Sequence, residues 1–244
     1  MTNRSSNSEY LTKKFRESLI IDRFDPLIDS RAKKLTHNHH DFHEESIVWN
    51  IFRTLNQIER SIWVPYLFER SFLKGYYYSS KEIEIKLWKK MWPKRSLLTA
   101  EGPIEPDIII ESEEFVWFIE AKYNSDISTE TKSDNDRNEI IRHIDIGTGY
   151  SKKKDFYYTL IILDRFHSPN GFRYITSYMN DVNGILDKIS NRNIDNLKGI
   201  SISTWKEIQE TLKLIYLYAR RKYEKFIVNQ AATYLSEKIR EDEI

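Results

Sequence analysis

The chain has 244 residues, 40% of them apolar and 14% aromatic, enough to bury the core of one large globular domain or two small ones. Lys and Arg number 38 against 37 Asp and Glu, a net charge near +1 that excludes a histone-like DNA-coating protein and an acidic disordered tail. The absence of Cys rules out disulfides and cysteine-ligated zinc and leans towards a reducing compartment.

Any nucleic-acid contact must therefore be a local patch. Apolar runs such as Leu160 to Leu163 span a handful of residues, whereas a membrane-crossing helix needs about 20. The polar segment Met1 to Tyr10 lacks the apolar stretch of a secretory signal, so the expectation is a cytoplasmic protein with no membrane association.

In chain order, the segment to about Thr36 reads as a loosely attached helical lead-in. Ile47, Val48, Ile51, Phe52, Leu55, Ile58 and Ile62 recur at three- and four-residue spacing, predicting one amphipathic helix from His39 to Ile62. Pro65 is placed to open a second helix ending near Gly75. Glu82 to Trp92 fits a strand at Ile83, Ile85 and Leu87 and a helical turn at Leu87, Trp88 and Met91.

The centre is a β-hairpin: Ile108 to Ile110, a polar reversal at Ser112 to Glu114, then Phe115 to Ala121. A polar irregular segment, Asn124 to Ser133, leads to a helix from about Asp134 to Ile146, with Gly147 as its stop. Phe156 to Leu163 reads as a buried strand, Asn180 to Leu186 as weakly helical and Gly199 to Ser203 as a last strand. Thr204 with Glu207 forms a capping box opening a long C-terminal helical region, whose apolar stripe includes Ile208, Leu212, Ile215, Phe226 and Leu235. The order implies an α/β fold with a central mixed β-sheet flanked by helices.

The chemistry concentrates on the hairpin. One face of its second strand carries Phe115, Trp117, Ile119 and Ala121, and the other carries Val116, Phe118, Glu120 and Lys122. A strand apolar on both faces thus ends with a carboxylate and an ammonium on one side, and burying such charges costs several kcal/mol unless they are paired or bound to a metal. Asp107, after Pro106, starts the partner strand, so the reversal brings it opposite Glu120. Two carboxylates beside a lysine suit a hard divalent cation and the activation of water. A plain ion pair of Glu120 with Lys122 is the bland alternative.

Pro106 and Asp107, followed after the hairpin by Glu120, Ala121 and Lys122, resemble the PD-(D/E)XK motif of the restriction-endonuclease-like nuclease superfamily. The resemblance covers roughly residues 39 to 165 and implies that family's core, with residues 1–38 a helical lead-in and 39–244 the nuclease-like domain. It implies Mg²⁺, with Mn²⁺ as a substitute, held by Asp107, Glu120 and the backbone carbonyl of Ala121, and Lys122 orienting or deprotonating the attacking water. The family's leading-helix acid falls at Glu44 or Glu45. Helical spacing to Val48, Ile51 and Leu55 favours Glu44 as the catalytic acid, and Glu45 stays open as a metal ligand.

The implied activity is hydrolysis of DNA, by an endonuclease of restriction or antiviral defence, with a homodimer or a partner subunit of a multi-protein system completing double-strand cleavage. A catalytically silent DNA-binding or assembly subunit is the alternative. Arg137, Arg142, Lys152, Lys153 and Lys154 are candidate phosphate contacts. His37, His39, His40, Asp41 and His43 lack an HExxH pattern and read as a solvated helix start.

Overall fold

A computed structural model of the chain describes residues 3–38, 43–93, 102–129, 137–189 and 194–241. It divides into two compact units, one formed by Met1–Ile58 with Leu212–Ile244 and the other by Glu59–Thr211. The division expected after residue 38 falls inside the first unit.

The Glu59–Thr211 unit is built on a five-stranded mixed sheet in the order β1-β2-β3-β4-β5. Its strands are β1 (Glu84–Leu87), β2 (Ile108–Glu111), β3 (Phe115–Ala121), β4 (Asp155–Ile162) and β5 (Leu197–Thr204). β1 pairs antiparallel with β2 and β2 with β3, whereas β3, β4 and β5 run parallel. The hairpin reversal is fastened by Ser112, whose Oγ accepts from Glu114 N at 3.1 Å and Phe115 N at 3.2 Å.

Parallel pairing requires helical crossovers. After β3 the chain returns through α6 (Glu139–Ser151), and after β4 through α7 (Pro169–Asn180) and α8 (Asn183–Leu186). One sheet face, with Val116, Phe118, Phe156, Tyr158 and Leu160, buries Ile140, Ile141 and Ile144 of α6 and Ile175 and Tyr178 of α7. On the other face Phe68 and Phe72 of α5 (Arg60–Phe72) meet Trp117 and Tyr157, with ring centroids 4.8–5.8 Å apart.

The helical boundaries differ from several expectations. The helix read as His39 to Ile62 is α3 (His43–Val48), a π-helical turn (Trp49–Arg53) and α4 (Thr54–Asn56), interrupted before α5. Pro65 lies inside α5 rather than opening a helix; burial of Ile62, Trp63, Val64, Leu67 and Phe68 holds the helix through the missing donor. Gly147 does not stop α6. A Cβ there would stand 2.1 Å from the Phe156 ring, so glycine lets α6 lie close on β4, and the helix ends four residues later at Ser151.

The start of α6 is set by Asn138, whose side chain accepts from Ile141 N; the expected earlier start at Asp134 lies outside the described residues. Residues 166–179 raised no helical expectation, yet α7 begins at Pro169 and the Asp126 carboxylate accepts from the N–H groups of Asn170 and Gly171. The Thr204 capping box forms as expected: Thr204 N donates to Glu207 Oε2 at 2.7 Å and Glu207 N to Thr204 Oγ1 at 3.2 Å. The helical region it opens is α9 (Trp205–Tyr218) followed by α10 (Lys222–Glu241).

In the other unit, the helical lead-in is firmly held rather than loose. Phe15 and Leu19 around the end of α1 (Asn3–Glu17) and Ile28 of α2 (Pro26–Asn38) are fully buried. Buried Asn50 accepts from Ile20 N and donates to Ser18 O, and the Trp49 indole donates to Ile21 O. Arg53 pairs with Asp22 and Asp25. Phe226, read as part of the α10 stripe, is instead 60% exposed. Among the described residues no helix is long and apolar enough to cross a membrane.

Candidate metal centre

The candidate site lies where β3 ends against the first turns of α6. The β2–β3 register pairs Ile108 with Ile119, and one further step sets Asp107 opposite Glu120. Asp107 Oδ2 accepts from Ala121 N at 3.0 Å, fixing the carboxylate across the hairpin end. The backbone of Lys122 is clamped on both sides: its N–H donates to Ile161 O at 2.8 Å, and its carbonyl accepts from the Trp205 indole at 3.0 Å.

The Lys122 ammonium bridges two carboxylates, 2.9 Å from Glu120 Oε1 and 3.1 Å from Glu139 Oε1. Glu139 is the first residue of α6, and its Oε2 accepts from Ser128 N at 2.9 Å. One turn on, His143 places Nδ1 3.5 Å from Glu120 Oε2, and its ring centroid lies 6.0 Å from that of Tyr158 on β4. Glu139 keeps a fifth of its side chain exposed and forms the solvent edge of this otherwise buried group.

Two carboxylates share this ammonium while a third, Asp107, lies beside them, and the electrostatics follow. Burial, then the neighbouring Asp107, pushes the Glu120 carboxyl well above the usual carboxylate range, against the pull of Lys122. Burial also works against an ionised Glu139, but Lys122, then the neighbouring His143 and the Ser128 N–H, outweigh it and hold its pKa at about 2. Desolvation depresses His143 to about 4, so its imidazole is neutral at pH 7. Tyr158 is pushed up by burial and by the two glutamates and stays a phenol.

These groups also meet the chemical requirement of a cation site. Glu120 Oε2, His143 Nδ1 and Tyr158 Oη are buried with no hydrogen-bond partner among the described residues, which is costly unless another species satisfies them. Glu120, Glu139 and His143 each offer a ligand atom, all within 4.8 Å of one another.

Asp107, Glu120 and Lys122 thus meet at one point. Ala121 is buried beside them, held through the N–H bond to Asp107. Glu44 and Glu45 belong to the other unit, at the start of α3: Glu44 is half-buried, and Glu45 is buried and paired with Arg31 at 3.2 Å.

The expected phosphate contacts are arranged differently. Arg137 precedes α6 and is buried, donating to Asp145 Oδ2 at 2.7 Å and to the Lys188 carbonyl. Arg142 is half-buried on α6 and donates to Gly102 O at 2.9 Å. Lys152, Lys153 and Lys154 follow the far end of α6, beside Asp155, which pairs with Phe115 at the opposite end of β3. Six strand steps, about 20 Å, separate that end from Ala121. Lys154 is moreover paired with Glu111 at 2.9 Å. His39, His40 and Asp41 lie outside the described residues, and His43 is exposed.

Glu139 and His143 were missed. Their signal was local: an acid and a histidine four apart at the start of a helix share one face. What gave that spacing no meaning was that the partner, Glu120, lies on β3, across the segment that precedes α6. Comparison with protein-family models, curated proteins and solved structures yields no match, so the functional reading rests on this geometry.

Proposed function

We propose that the Glu59–Thr211 unit is a divalent-metal-dependent phosphodiesterase of the restriction-endonuclease-like type, acting on DNA. The observation that carries this reading is the meeting of Asp107, Glu120 and Lys122 at the end of a buried hairpin, with Asp107 bonded to Ala121 N and Lys122 2.9 Å from Glu120. The sheet order, two antiparallel pairs followed by two parallel ones with α6 as the first crossover, supports that fold.

In this reading Asp107 and Glu120 hold the ion, which supplies a water of lowered pKa and neutralises charge on the scissile phosphate. Lys122 holds its ammonium beside the phosphate and orients the attacking water. Glu139 positions that ammonium, since it shares Lys122 with Glu120. The products expected are a 5′-phosphate and a 3′-hydroxyl.

Near-complete burial of the three groups, each under 9% exposed, favours the rival, a catalytically silent fold that binds DNA or assembles with a partner. Incubating the full chain with plasmid DNA and Mg²⁺ or Mn²⁺, beside Asp107→Ala and Lys122→Ala, separates the two. Cleavage by wild type alone is the expected outcome. Equal DNA binding with no cutting by any version would establish the rival.

A further inference from the structure

Two atoms at the β3–α6 junction stand out as orphans. Glu120 Oε2 and His143 Nδ1 face each other across 3.5 Å, both without a hydrogen-bond partner among the described residues. Their residues are only 4% and 3% exposed, so bulk water does not satisfy them. A carboxylate lone pair facing an imidazole lone pair is repulsive unless a proton or a cation stands between them.

The Lys122 ammonium does not fill this role, because it bonds the other oxygen of Glu120 and Oε1 of Glu139. Formal charge points the same way. With Glu120 ionised, as it would be as an ion ligand, Asp107, Glu120 and Glu139 would bring three negative charges to the one ammonium of Lys122, an excess of two that one divalent ion neutralises.

The structure assigns Glu120, Glu139 and His143 as a mixed oxygen and nitrogen ligand set that selects a divalent first-row transition ion over Mg²⁺. Mg²⁺ demands oxygen ligands in near-ideal octahedral geometry and keeps much of its water. An imidazole nitrogen suits iron, nickel, copper and zinc, and the affinity of a mixed nitrogen and oxygen site rises along the first-row series that begins at Mn²⁺. Glu139 and His143 sit one turn apart on α6, and the Asn138 cap and the Ser128 bonds fix the start of that helix opposite β3. The ligand atoms already lie within 4.8 Å of one another, close to the separation of about 4 Å or less that ligands about 2.1 Å from a shared ion adopt. The assignment deepens the phosphodiesterase reading by adding Glu139 and His143 to Glu120 as ligands of its ion, Glu139 through the same carboxylate that holds Lys122; it rests on that reading for the ion's purpose, but ion binding itself does not depend on it.

The test titrates the full-length chain with Mn²⁺ alone and follows free and bound ion by electron paramagnetic resonance, with Mg²⁺ as competitor. Spin-echo modulation reports whether a nitrogen is directly bound. The expected result is one bound Mn²⁺ with nitrogen modulation, Mg²⁺ at least tenfold weaker, and loss of both the modulation and at least tenfold in Mn²⁺ affinity in His143→Gln. Absence of nitrogen modulation in wild type overturns the assignment, as do equal affinities for Mg²⁺ and Mn²⁺ or a modulation that survives His143→Gln. The wild-type spectrum decides the matter even if the variant does not fold. Mn²⁺ binding of the expected kind without DNA cleavage leaves this inference standing and removes the phosphodiesterase reading. Mg²⁺-supported cleavage that is indifferent to His143→Gln does the reverse.

Discussion

Replacing Glu120 with Gln separates a site held against its own electrostatics from a structural ion pair. The substitution keeps the shape of the side chain and removes one buried charge. Lys122 keeps Glu139 at 3.1 Å and can still donate to the new amide oxygen, so no ammonium is stranded. The carboxyl of Glu120 is driven up by burial and by Asp107, so its ionised form opposes folding at neutral pH. Each unit by which burial raises the carboxyl above its unfolded value costs about 1.4 kcal/mol at neutral pH, and the amide removes that cost while Lys122 keeps its second partner. A gain of about 2 kcal/mol would raise Tm by about 4–8 °C in a domain of this size.

The assay is urea and thermal unfolding in buffer stripped of divalent ions, from pH 4 to pH 8. Glu120 takes up its proton more readily folded than unfolded, so the native chain binds more protons and wild-type stability rises as pH falls through the folded value. The advantage of the variant therefore narrows on acidification and closes near the unfolded pKa of about 4.3. If Glu120→Gln is instead less stable at pH 7, the Glu120–Lys122 pair is a net structural contact and the reasoning fails.

Gly147→Ala puts a methyl group 2.1 Å from the Phe156 ring, and overpacking of this kind costs about 1–3 kcal/mol, read as a lower urea midpoint; an unchanged midpoint would mean that α6 shifts freely on the sheet. Arg137→Ala breaks the buried ion pair with the Asp145 carboxylate and is expected to cost about 3–5 kcal/mol, visible as a large fall in Tm, whereas a stability near wild type with weakened DNA binding would restore Arg137 as a phosphate contact. The double change Lys152→Ala with Lys153→Ala, at the opposite end of the sheet, is expected to leave metal-dependent cleavage within twofold of wild type; a tenfold loss would show that substrate reaches that end.

Short-range signals carried much of this protein. The alternation of Phe115 to Lys122, the reversal at Ser112, the Thr204 and Glu207 capping box and the β-branched run of β4 each depend on neighbours a few residues apart, and each is legible without coordinates. The same locality brought Asp107 opposite Glu120, because a hairpin register is set by its own turn. Where the deciding partner is distant, chain order is silent. Gly147 looks like a helix stop until Phe156 comes to lie against it, and Arg137 looks like a phosphate contact until α6 folds Asp145 back onto it. Glu139 and His143 acquire meaning only when parallel crossover packing lays α6 beside the end of β3 and places their ligand atoms against those of Glu120. Composition and spacing determined which groups carry charge and which strand is buried; tertiary packing decided which charges share one low-dielectric space, since a Coulomb interaction depends on separation in space rather than along the chain.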